Sequence, residues 1–133
     1  MIGAYSDYAR QFLLVFGVVT TVVFAVPLFL TPIAWGRVLR FEIPSDTDLA
    51  VYFGRCLGAF ALVLEGVIFR AAFAGVALRF AFEILVPVCV FMIVIHGYGA
   101  VKRIQPITET VEIALWVVFL ILGLAFFPVS ASS

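Results

Sequence analysis

Four apolar stretches, each close to the roughly 20 residues that carry a helix across 30 Å of hydrocarbon, occupy most of this chain. They cover about residues 11–30, 49–73, 76–101 and 107–127, and the first contains no charged side chain. None shows the ten-residue alternation of a barrel strand. Each is apolar on all sides, so the stretches read as helices. The expectation is an all-α membrane protein, a single transmembrane domain folded as an antiparallel four-helix bundle.

Composition supports lipid as the solvent. Hydrophobic residues make up 65% of the 133 residues and charged residues 12%, against roughly 45–50% and 25% in soluble domains. A water-soluble fold needs more polar surface than this to cover its core. Eight basic and eight acidic residues cancel, and no Lys/Arg run is present to neutralise phosphates, which argues against nucleic acid as a partner. Little mass remains outside the membrane for soluble catalysis. The first apolar stretch lacks an A-x-A site and is too long for a typical signal peptide core, so it reads as a retained span.

The boundaries have local causes. Thr31 and Pro32 end the first span, because proline cannot continue a helix and restricts the residue before it. Residues 32–41 set Trp35 and apolar side chains against Arg37 and Arg40, the pattern of a short segment lying on the membrane surface. Ser45 or Asp46 is expected to cap the second span. Ala74 and Gly75 leave room only for a tight hairpin between spans two and three. Pro87 falls inside span three and predicts a kink. Pro106 opens span four, and Pro128 with a Ser-rich tail closes it. Tyr5, Tyr8, Trp35, Tyr52 and Tyr98 lie near span ends, as in an aromatic belt. Arg37, Arg40, Lys102 and Arg103, with Arg55 just inside, outnumber Arg10, Arg70 and Arg79 at the other side, which places both termini outside the cytoplasm.

Ionisable residues within spans are costly and are the default site candidates. One layer holds Glu65, Arg70, Arg79 and Glu83, with Arg79 and Glu83 four residues apart on one helix face. These four side chains are expected either to neutralise one another and hold spans two and three in register, or to form a polar pocket. In the pocket reading Glu65 and Glu83 are the acid/base pair and the arginines hold an anionic group. A second layer holds Arg55, His96 and Glu112 at similar depth, with an Arg55–Glu112 ion pair and a His96–Glu112 hydrogen bond expected. A single histidine without a second ligand argues against haem or chlorophyll. Gly54 and Gly58 form a small-xxx-small face, which packs within the bundle or against a partner. Cys56 and Cys89 belong to no metal-ligand spacing and read as small buried hydrophobes. No phosphate-binding loop, zinc-protease motif or nucleophile elbow is present, and no metal is expected.

The order of features resembles small four-span bacterial membrane proteins of the DoxX-like kind. The resemblance rests on Thr31 and Pro32 after span one and on Phe53-Gly54-Arg55-Cys56-Leu57-Gly58 opening span two. His96-Gly97-Tyr98-Gly99-Ala100 closing span three and Gln105-Pro106-x-x-Glu109-x-x-Glu112 at span four complete it. It implies an antiparallel four-helix bundle in a bacterial inner membrane, often as a subunit of a redox complex, and carries over no chemistry. The leading expectation is an accessory or structural subunit of a larger, redox or energy-converting membrane complex, or a homo-oligomer. Partners are then membrane lipids and other transmembrane subunits. The first alternative is a membrane enzyme or binder of a lipid or quinone using Glu65 and Glu83. The second is an ion- or proton-conducting oligomer.

Overall fold

The computed structural model describes residues 2–129, so the Ser-rich tail lies outside it. Every regular element among the described residues is helical. Four helices are long and apolar enough to cross a membrane: α1 (Ser6–Leu30), α3 (Asp48–Ala74), α4 (Leu78–Lys102) and α5 (Ile107–Ala125). The short α2 (Pro32–Val38) lies between α1 and α3.

Helix α1 changes pitch near its middle. Residues Thr21–Ala25 form a π-turn, in which the Val26 N–H reaches back to the Thr21 carbonyl. Pro27 follows immediately and has no N–H to give. A proline ring also collides with the carbonyl four residues earlier. The wider turn takes up that conflict, and the sequence reading had not anticipated it. The helix then stops at Leu30, and Pro32 starts α2 as its first residue. Neither Ser45 nor Asp46 caps α3. Thr47 holds the cap position without a side-chain bond, and Asp46 instead accepts the Asp48 N–H at 3.1 Å. Pro106 is the residue before α5, not its first turn.

Two pairings dominate the packing: α1 lies along α3, and α4 lies along α5, whereas α3 and α4 share few contacts despite their tight connection. Each helix buries one seam spaced three and four residues apart, the repeat that keeps one face toward a partner. In α4 the seam is Phe82, Leu85, Cys89, Met92, His96 and Gly99. In α3 it runs through Gly58, Glu65, Ile68 and Ala72. Gly58 brings α3 against the α1 backbone: a Cβ there would sit 2.5 Å from the Phe29 nitrogen. A Cβ on Gly54 would sit equally close to Pro32 Cβ. The chain's own α1 and α2 therefore occupy the small-residue face.

The end near the α3–α4 turn is fastened by aromatic stacking and by one arginine. Phe12 stacks on Phe126 with ring centres 4.9 Å apart, and on Phe82 at 5.8 Å. Arg10 donates from Nε to the Ala72 carbonyl at 2.9 Å and from Nη2 to the Phe73 carbonyl at 2.7 Å. Those carbonyls belong to the last turn of α3, where a cation complements the negative end of the helix. Gly75 ends that helix at φ 69°, a left-handed conformation that costs glycine little. Gly3 and Tyr5 donate their N–H groups to the Leu124 and Ala125 carbonyls, so the N-terminal segment closes the end of α5.

Candidate functional site

The opposite end gathers the polar side chains that chemistry needs. His96 falls on the buried seam of α4 and is 4% exposed. Glu109, Glu112, Trp116, Phe119 and Gly123 follow the same three-and-four rhythm on α5. Because α4 and α5 run side by side from their short turn, the two seams meet with His96 opposite the two carboxylates. Gln105 sets this register. Its carboxamide folds back over Gly99, where a Cβ would collide with it. From there Nε2 donates to the His96 carbonyl at 3.0 Å and to Thr110 Oγ1 at 3.2 Å. The Thr108 hydroxyl donates to the Leu39 carbonyl, which fastens the end of α2 to the start of α5.

The protons on His96 can be assigned by elimination. Nδ1 lies 2.7 Å from the Met92 carbonyl oxygen, which can only accept, so Nδ1 carries a hydrogen. Nε2 then faces Glu109 Oε2 at 3.0 Å and Glu112 Oε2 at 3.7 Å. The Glu109 side chain is 13% exposed and that of Glu112 28%. Despite the short distance, Nε2 and Glu109 do not have hydrogen-bond geometry, and Glu109 Oε1 is also without a partner. In neutral imidazole Nε2 carries a lone pair beside carboxylate oxygens, and a proton or a cation among these atoms relieves the repulsion.

A cavity of about 240 Å³ adjoins the cluster, with Glu112 on its wall. Its other walls are Val23 and Phe24 of α1, Trp35 and Leu39 at the α2 end, and Trp116 and Phe119 of α5. The indole N–H groups of Trp35 and Trp116 are buried and have no acceptor. Thr20 and Trp116 also border a smaller cavity of about 80 Å³, where Glu65 lies.

The first charged layer expected from sequence does not assemble as one network. Glu65 is buried, and its Oε1 lies 2.5 Å from the Thr20 hydroxyl of α1. Arg79 and Glu83 pair with each other at 2.8 Å, but their side chains are 61% and 49% exposed. Arg70 is exposed and makes no ion pair among the described residues. The cause is helical phase: at about 100° per residue, Arg70 lies roughly 140° around α3 from Glu65. Glu83 is likewise about 200° from Leu85 on the seam of α4. Equal distance from the α3–α4 turn did not mean equal direction.

In the second layer His96 and Glu112 face each other at 3.7 Å without the expected hydrogen bond, and Glu109 is nearer to the ring. Arg55 does not join them. It is exposed beside Asp48, Tyr52 and Cys56 on α3, which packs on α1 rather than α5. No Arg55–Glu112 pair forms among the described residues. No metal is expected from the sequence, yet His96, Glu109 and Glu112 place their ligand atoms within 4.8 Å of one another. Those ligands come from two helices, so no local motif records them. Thr20, Gln105, Glu109 and Trp116 were not recognised as site residues. The three-and-four spacing of the α5 seam would have placed Glu109 and Trp116 inside.

Comparisons with protein families, with curated proteins and with solved structures gave no match to this chain.

Proposed function

We propose that the chain crosses the membrane as an antiparallel four-helix bundle and binds a small lipophilic molecule in the cavity beside His96. The ligand class is a lipid or quinone-like molecule. One observation carries this reading: a mostly apolar cavity of about 240 Å³ has Trp35, Trp116, Phe119 and the single acidic residue Glu112 in its lining. Sites of this kind combine mostly apolar lining with a few convergent polar groups. The four spans and their packing support the bundle, and the DoxX-like feature order agrees with it. Arg37, Arg40, Lys102 and Arg103 cluster at the end that holds α2 and the α4–α5 turn. We place that end in the cytoplasm, in a bacterial inner membrane, with both termini outside.

The test is purification in mild detergent, followed by solvent extraction and mass spectrometry of bound small molecules. About one lipophilic molecule per chain is expected, and Trp116→Phe with Glu112→Gln reduces its retention. Added quinone or lipid analogue should also quench tryptophan fluorescence. A chain that carries no such molecule and co-purifies with larger subunits would instead support the accessory role. A symmetric ring that conducts ions would support the channel role.

A further inference from the structure

We propose that His96, Glu109 and Glu112 bind a divalent first-row transition-metal ion. This assignment does not depend on what the neighbouring cavity holds.

Three features converge on it. The first is the direction of the imidazole. Its Nδ1–H is held by the Met92 carbonyl at 2.7 Å, which leaves Nε2 as the free ligand atom. Metal-bound histidines show this arrangement, because a fixed hydrogen bond on one nitrogen sets the ring and its tautomer for the other. The second is spacing. Metal–ligand bonds of about 2.0–2.2 Å put neighbouring ligand atoms roughly 3.0–3.6 Å apart. Nε2 lies 3.0 Å from Glu109 Oε2 and 3.7 Å from Glu112 Oε2. A proton shared by Nε2 and Glu109 would need the two atoms in line, and they lack that geometry. Atoms that both face a third point are close without being collinear.

The third feature is charge. Two carboxylates converge on a histidine that is 96% shielded, and no Arg or Lys pairs with either among the described residues. Protonating His96 supplies one positive charge, and a divalent ion balances both negative ones. An imidazole with two carboxylates suits zinc, manganese or ferrous iron better than calcium or magnesium, which prefer oxygen alone. Three protein ligands leave at least one coordination position open. Glu112 also lines the 240 Å³ cavity, so the proposed ion and the proposed ligand would share that side chain. Only this last step rests on the ligand reading.

The experiment uses the full chain in mild detergent, stripped with chelator and titrated with Zn²⁺ and then Co²⁺. One equivalent of each is expected per chain, with cobalt visible bands that report nitrogen and oxygen ligation. Disturbing a supporting residue of a metal site weakens binding by about 10–100-fold, so losing a ligand should cost at least about 100-fold. Glu109→Gln and Glu112→Gln keep side-chain volume and should both show that loss while thermal unfolding stays close to wild type. Glu83→Gln, outside the cluster, should bind metal as wild type does. The proposal is overturned if the stripped chain takes up no ion, or if both glutamine variants bind as tightly as wild type. Metal binding with no extractable lipophilic molecule would refute the ligand reading alone.

Discussion

The Thr20 hydroxyl lies 2.5 Å from Glu65 Oε1 and 2.8 Å from the Phe16 carbonyl, so one hydroxyl proton faces two acceptors across α1 and α3. Both contacts are satisfied when Glu65 supplies a proton of its own and Thr20 passes one on to Phe16. A neutral carboxyl also fits an apolar site in which no cation pairs with Glu65 among the described residues.

Glu65→Gln tests that proton count. The amide replaces a neutral acid, so stability in detergent should change by less than about 1 kcal/mol. A protonated-carboxyl band in the infrared spectrum should disappear in the variant. Stabilisation by several kcal/mol would show instead that a charge had been removed.

Two glycines of α3 should respond in opposite directions to the same methyl group. Gly58→Ala drives a Cβ to 2.5 Å from the Phe29 nitrogen and 2.6 Å from its Cα, and backbone atoms cannot swing aside. Overpacking of this kind costs about 1–3 kcal/mol. Gly66→Ala meets nothing within 4 Å, and alanine is favoured over glycine in a helix by about 0.5–1 kcal/mol. Thermal unfolding of the two variants should therefore shift down and up respectively. Equal shifts would contradict the close approach of α1 and α3.

Arg10 joins the start of α1 to the last turn of α3 through two charge-assisted hydrogen bonds. Arg10→Met should destabilise the chain by about 1–3 kcal/mol and speed proteolysis at the α3–α4 turn. Arg10→Lys should recover only part of this, because an ammonium cannot present the same planar fork. Full recovery by lysine would reduce the role of Arg10 to charge alone.

Gln105→Ala removes the side chain that bonds to the His96 carbonyl and to Thr110. Amide hydrogen exchange in the last turn of α4 should accelerate, with a loss of about 1 kcal/mol. Metal affinity should fall less than in Glu109→Gln, since Gln105 positions the cluster without touching the ion. Unchanged exchange at Gly99 and Ala100 would show that the turn holds without it.

Much of the architecture is local and could be read directly. The four apolar lengths, the break at Thr31 and Pro32, and the hairpin at Gly75 each follow from residues beside them. The π-turn was not expected, since Pro27 lies inside a continuous apolar run. Apart from the Arg79–Glu83 pair on one helix face, which forms at 2.8 Å, the charged side chains were grouped by depth, and depth groups Glu65 with Glu83 and Arg55 with Glu112. Direction separates them: Glu83 and Arg70 fall outside the seams, whereas Glu65, His96, Glu109 and Glu112 fall on or beside them.

Residue order alone determined where this chain turns and which stretches suit hydrocarbon, because each of those outcomes depends on side chains within a few positions of one another. Only the tertiary arrangement decided which helix faces which. Helix α3 could have turned toward α5, and a seam does not name its partner. Packing against Gly58 drew α3 to α1, and the fold-back of Gln105 set α5 beside α4. His96 meets Glu109 and Glu112 for that reason, while Arg55 is left on the far side.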